Sequence, residues 1–242
     1  MLDFNKFEPM LGTWANKIKP LFDNGEMDKI YDFLKFEGRR GKIICPESKN
    51  TFRTFLETPI DKVKVCMLMQ DPYDKLKDGI YVADGIAMSC SNTEREQPSL
   101  SLFYDAIEDD LYKGLNLEME RLTDLKYLCN QGVMLLNTAL TTEMNKSGSH
   151  KEIWKPFMIY MLEEVFAKMN NGIIFVLAGQ QSQYYAKYIN PLQHYIIEVE
   201  HPAAASYKMR KWQHEKIFSK INYILKTNSK SEVDWIYEKP PF

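Results

Sequence analysis

Val63-Lys64-Val65-Cys66-Met67-Leu68-Met69-Gln70-Asp71-Pro72-Tyr73-Asp74 is the stretch on which the reading of the fold turns. Its first seven residues are apolar apart from Lys64, and two valines supply β-branching. Such a run predicts a strand buried on both faces, as in the middle of a parallel sheet. Pro72 has no amide hydrogen for a ladder and holds Asp71 extended, so the strand stops there. Ligands in open α/β sheets bind beyond the carboxyl ends of the strands. Asp71 therefore stands where chemistry is usually done, although Asp-Pro also serves as an ordinary turn starter.

Three more short apolar runs share this pattern of ending in a polar residue or a turn: 132–137, closing on Asn137; 172–178, closing on the Gly179 turn; and 195–202, closing on His201-Pro202. Between them lie segments of helical period. Residues 122–130, 153–168, 181–188 and 212–225 read as helices, and Ser99 is a fair cap for the stripe Leu102, Phe103, Ala106, Ile107, Leu111. Residues 1–60 read as a mainly helical N-terminal part, with an apolar stripe at Ile30, Phe33, Leu34 and Phe36 that stops at Gly38-Arg39-Arg40-Gly41. Strands alternating with helices predict an α/β fold, a central four-stranded parallel sheet with helices on both faces. No linker divides the chain, so 1–242 is expected to be one domain. Asp71, Asn137, the Gly179 turn and His201 should then line one rim of the sheet.

The bulk numbers allow this. The chain has 242 residues, 45% hydrophobic and 26% charged, enough for a sizeable core. Its apolar runs are too short to cross a bilayer, and Met1-Leu2-Asp3-Phe4 opens no signal peptide, which points to the cytoplasm. Cysteines at 45, 66, 90 and 129 form no C-x-x-C pair, and the four histidines show no ligand spacing. That argues against zinc and iron–sulfur ligation and for a reducing compartment. No metal and no cofactor are expected. A net charge of −2 does not announce a nucleic-acid binder, but a local basic face suffices for one.

Several short motifs together resemble the family 1 uracil-DNA glycosylases. The family's water-activating Gly-Gln-Asp-Pro-Tyr-His is similar to Met69-Gln70-Asp71-Pro72-Tyr73-Asp74, and its Leu-Leu-Asn-Thr to Leu135-Leu136-Asn137-Thr138. Its Ser-His element resembles Ser149-His150, with Trp154 downstream. Its His-Pro-Ser-Pro-Leu-Ser loop resembles His201-Pro202-Ala203-Ala204-Ala205-Ser206. Pro98-Ser99-Leu100 and Asp234-Trp235 complete the set, in the family's order, across residues from about 40 to 235.

The resemblance implies an enzyme that hydrolyses the N-glycosidic bond of uracil in DNA, as in base excision repair. Asp71 and His201 would be catalytic: Asp71 would activate water and His201 would stabilise the departing uracil anion. Gln70, Tyr73, Met88 and Asn137 would bind the flipped base. Asn137 would read the uracil edge, and the Tyr73 ring would exclude the thymine methyl. Ser99 and Ser206 would hold DNA phosphates. Ala205, Lys208 and Arg210 would also meet the DNA. Uracil-containing DNA is the expected partner, with a monomeric protein and no membrane. The sequence names no replication or inhibitor protein as a further partner.

Three departures bear on this. Asp74 replaces the motif histidine and would tend to raise the Asp71 pKa and repel phosphate. Met88 replaces the aromatic platform under the uracil. Ala205 falls where the family wedges a leucine into the duplex, so single-stranded DNA is expected to be preferred, with Tyr207 or Met209 as substitute wedges. Lys208-Met209-Arg210-Lys211 supplies positive charge next to His201. Two other functions stay open: a weak or inactive DNA-holding processivity subunit of this fold, and a glycosylase for another modified base.

Overall fold

The computed structural model describes residues 2–115, 119–169 and 172–237. Four strands form the main sheet: β1 (Val65–Met69), β2 (Val133–Asn137), β3 (Ile174–Ala178) and β4 (Tyr195–Val199). Their order is β2-β1-β3-β4, with all neighbours parallel. The apolar run 63–69 supplies a central strand, as its composition predicts. Lys64, the one charge in that run, sits just outside the strand and donates to the Ser231 and Glu232 carbonyls.

Side chains alternate between two covered faces. Val65, Met67, Met69, Leu135 and Val176 join a core with the Pro98–Leu111 and Ile217–Thr227 helices. Cys66, Leu68, Leu136, Phe175 and Leu177 join a second core with the N-terminal helices and the Lys151–Tyr160 helix. Both sides of the sheet are therefore dry, the condition under which continuous apolar strands are stable. In β4, an edge strand, Tyr195 and Glu198 face outward while Ile197 and Val199 are buried. Register aligns the strand ends. Met69 pairs Asn137, Leu68 pairs Leu177, and Ala178 pairs Val199, so the residues that follow lie along one rim.

Some element boundaries differ from the sequence expectation. The Pro98–Leu111 helix takes Gln97 as its N-cap and Pro98 as its first residue, so Ser99 lies inside the first turn and does not cap it. The helix expected over 122–130 is confined to Lys126–Asn130. Upstream, the Leu122 carbonyl accepts from the Tyr104 hydroxyl and the Thr123 carbonyl from the Cys90 amide, so those carbonyls are committed outside a helix. The last long helix starts at Ile217, not Trp212. The Asp110 carboxylate accepts the Phe218 and Ser219 amides, each at 3.0 Å, and supplies that start from another element. Phe36, expected on the buried stripe, is exposed beneath Arg40. Among the described residues no helix is long and apolar enough to cross a membrane.

Candidate active site

Beyond β1 the chain turns at Gln70-Asp71-Pro72, and Asp71 meets a loop that arrives from after β2. The Asp71 carboxylate accepts a hydrogen bond from the Gly148 amide. The Ser147 hydroxyl stands 3.0 and 3.1 Å from its two oxygens. Gln70 Nε2 donates to the same Ser147 hydroxyl at 2.7 Å, so Gln70 orients the group that orients Asp71. Burial raises the Asp71 pKa. The Gly148 amide and the Ser147 hydroxyl oppose that rise, and Asp74 adds a smaller upward push of the expected sign.

Asn137 closes β2. It is only 6% exposed, and its Oδ1 is buried with no hydrogen-bond partner among the described residues. Leaving such an atom unpaired costs about 1–3 kcal/mol, so it marks a place built for a donor.

His201 follows β4 and caps the short Pro202–Tyr207 helix: its Nδ1 accepts from the Ala203 amide at 3.1 Å. Burial lowers its pKa to about 4. The ring is therefore neutral at neutral pH, and an accepting Nδ1 leaves the proton on Nε2, a donor. Gly179, at φ +83°, makes the room. A Cβ there would stand 2.9 Å from His201 Cβ, closer than two such atoms normally come.

The Tyr73 hydroxyl donates to the Met88 carbonyl at 3.1 Å, and the Ser99 hydroxyl lies 2.8 Å from it. The ring is thus clamped between two elements. Met88 itself takes a left-handed backbone, φ +65°, which is strained for a residue with a side chain. Its segment is held by Asp84, whose carboxylate accepts from the Ile86 and Ser91 amides, the Ser89 and Ser91 hydroxyls and Arg53.

Asp71, Tyr73, Met88, Asn137 and His201 line one cavity of about 230 Å³, together with Gln70 and Ser99. The expected DNA contacts fare differently. Ala205 is 0% exposed and packed in the core, because the segment is a helix and turns that residue inward. It cannot touch DNA. Its neighbours Tyr207 and Met209 are instead 85% and 95% exposed. Ser99 is buried and bonded to Tyr73, which withdraws its hydroxyl from the surface. Ser206 is half-buried beside Pro98 in an open hollow. Arg210 donates to both oxygens of Glu200, at 2.5 and 2.6 Å, and Lys208 lies 3.6 Å from the same carboxylate. Those two cations are partly neutralised before any phosphate arrives.

Sequence reasoning missed Ser147 and Gly148. The Ser-Gly-Ser run there is a turn signal, but nothing local says that the turn reaches Asp71. Ser149 and His150, to which the family resemblance points, hold the loop. The Ser149 hydroxyl accepts from the Glu143 amide, and His150 Nδ1 is buried against the Thr141 hydroxyl. Among the described residues no three His, Cys, Asp or Glu side chains are grouped to hold a metal ion.

With this geometry in view, residues 55–226 match the family described as the Uracil DNA glycosylase superfamily. The chain belongs to that superfamily. It is 33% identical to the uracil-DNA glycosylase of Pseudomonas paraeruginosa over 92% of this chain and 93% of that one. The Acinetobacter baumannii uracil-DNA glycosylase is 32% identical over 92% of this chain and 91% of its own. Among solved structures, the mimivirus uracil-DNA glycosylase superposes with a TM-score of 0.83, covering 97% of this chain and 89% of that one at 23% identity. That likeness speaks for the fold.

Proposed function

We propose that this protein hydrolyses the N-glycosidic bond of uracil in DNA and releases the free base. The observation that carries the reading is the unpartnered Oδ1 of Asn137, buried in the same cavity as Asp71 and a neutral His201. Uracil N3–H satisfies that acceptor, and the adjacent uracil carbonyl takes the Asn137 amide protons. Cytosine presents the opposite pattern and leaves both partners unpaired, a large source of rejection. The thymine methyl meets the fixed Tyr73 ring. Met88 covers the base as a softer platform than an aromatic ring.

In the reaction the bond from sugar C1′ to the base breaks, and its electron pair leaves with uracil. His201 Nε2–H donates to the uracil oxygen on which that charge collects. Asp71, ionised, faces the cationic sugar, orients a water towards C1′ and accepts its proton. Burial raises the Asp71 pKa, which makes its carboxylate a better base.

The base must leave the stack, at a cost of about 3 kcal/mol in a duplex. Tyr207, which lines the cavity with His201, and Met209, two residues on, are the exposed side chains placed to fill the gap in place of the buried Ala205. Single-stranded DNA carries no pairing cost and is the better substrate. Chromatographic detection of free uracil, from single-stranded and duplex oligonucleotides in EDTA, tests the proposal. Uracil release with thymine and cytosine left in place is expected. Binding of DNA with the uracil untouched would replace it with the DNA-holding reading.

A further inference from the structure

A second, larger cavity of about 740 Å³ adjoins the first: Gln70, His201 and Ala204 line both. Lys151, Lys155, Lys208 and Tyr184 also line it, together with Glu152 and with Glu200, whose carboxylate holds Arg210. Tyr184 is 40% exposed and lies under two ammonium groups, Lys155 Nζ at 4.8 Å and Lys187 Nζ at 4.3 Å from the ring centre. Lys187 also stands 5.1 Å from the Tyr188 ring. The nearest carboxylate to Lys155 is that of Glu152, at 3.9 Å and on an exposed side chain. Among the described residues Lys187 has no ion pair. The Tyr184 phenol is pulled down to about 8, first by its hydrogen bond with Tyr188 and next by Lys155.

Two ammonium groups on one exposed ring repel each other and give up rotamer freedom, which offsets the weak attraction of each for the ring. What suits it is an anion with a flat face attached. An aromatic ring in a lysine-lined groove is the way single strands are held without regard to sequence. We propose that this cavity is the track along which the substrate strand runs as it leaves the uracil pocket. A base beyond the uracil's immediate neighbour stacks on Tyr184, and Lys151, Lys155 and Lys187 meet the phosphates of that stretch. The arriving base displaces one ammonium from the ring, and that ammonium turns to the adjoining phosphate. The track rests on the reading of the first cavity as the uracil site.

The test compares a uracil trinucleotide with a single strand of roughly ten nucleotides, enough to fill a site of this type. Wild type should show a lower KM for the longer strand. Tyr184→Ala should raise that KM about tenfold, the loss of one stacked base, with kcat and the trinucleotide KM unchanged. Tyr184→Phe should restore it. Removing both Lys155 and Lys187 should flatten the salt dependence of the longer strand's KM by about 0.7 per lysine on logarithmic axes. An unchanged KM for the long strand in Tyr184→Ala, or an equal rise for both lengths, overturns the track. If wild type releases no uracil at any length, the reading of the first cavity fails. Fluorescence anisotropy with a uracil-free strand then decides the track: tenfold weaker binding by Tyr184→Ala supports it, and unaltered binding overturns it, leaving an acidic protein surface as the occupant.

Discussion

Two buried polar clusters stand at the carboxyl side of the sheet, and they are finished differently. Around Asp84, which is 1% exposed, Arg53, two backbone amides and two serine hydroxyls meet the carboxylate, and Arg53 continues to Asp124 at 2.7 Å. In the neighbouring cavity Asp71 is pushed towards its neutral form, His201 is kept neutral, and Asn137 retains an unpaired acceptor. The first cluster needs nothing more, and its effect is to hold the Met88 segment in a strained backbone. The second leaves hydrogen-bonding capacity open. Polar burial alone therefore does not mark a site. Unfinished polar burial does so where it faces a cavity shared with other reactive groups, as Asn137 Oδ1 does. Ser182, His150 and Trp235 also hold buried atoms without a hydrogen-bond partner among the described residues, yet none lines that cavity.

Exchanging carboxylates across the two clusters gives the widest contrast. Asp71→Asn should reduce single-turnover uracil release about 10³-fold, the scale of a lost general base, with stability kept or raised. Asp84→Ala should instead strip a buried ion pair and lower stability by about 3 kcal/mol, or roughly 10 °C in Tm. Thermal melts beside rate measurements check both. A melting loss in Asp71→Asn as large as in Asp84→Ala would erase the distinction.

Gly179→Ala comes next. The new Cβ would press on His201 at a backbone angle that side chains resist. Uracil release should fall about 10²-fold, as when one donor to a developing anion is misplaced. Near-wild-type rates would mean that the imidazole position is not critical.

The two titrating groups should also oppose each other in stability against pH. His201 has a folded pKa of about 4 against an ordinary 6.5. Below pH 6.5 the unfolded chain binds the proton first, so stability falls as pH drops from 6.5 to 4, by at most about 3 kcal/mol. Asp71 is raised from 3.8, so its burial costs stability as pH rises through its folded value, and Asp71→Asn should relieve that cost at neutral pH. Chemical denaturation across this range, for wild type and His201→Gln, should show the acid-side slope shrink in the variant. The smallest effect is expected at the rim. Tyr207→Ala should slow duplex excision roughly tenfold and leave single strands alone, the energy of filling one unstacked step. Equal slowing on both substrates would remove Tyr207 as the wedge.

Much of this was legible in the chain. Dry strands are written as continuous apolar runs with polar ends, and a parallel sheet must align those ends, so Asp71, Asn137 and His201 could be placed on one rim before any contact was known. Contacts between distant segments were not legible. Gly148 reaches Asp71 across 77 residues, and Arg53 reaches Asp124 across 71. Ala205 was misjudged because matching it to a loop motif concealed that Pro202–Tyr207 is a helix, which turns one small residue into the core. Ala205→Leu is accordingly expected to overpack that core and not to restore a wedge.

The central claim is that the open acceptor of Asn137 reads uracil. Its most direct test is the rate of free-base release from matched single strands carrying uracil or cytosine at one position, for wild type and Asn137→Asp. Wild type should release uracil alone. Asn137→Asp, able to accept from the cytosine amino group when suitably protonated, should gain cytosine release while losing uracil release. A wild type that releases both bases, or a variant with the wild-type preference, would contradict the account.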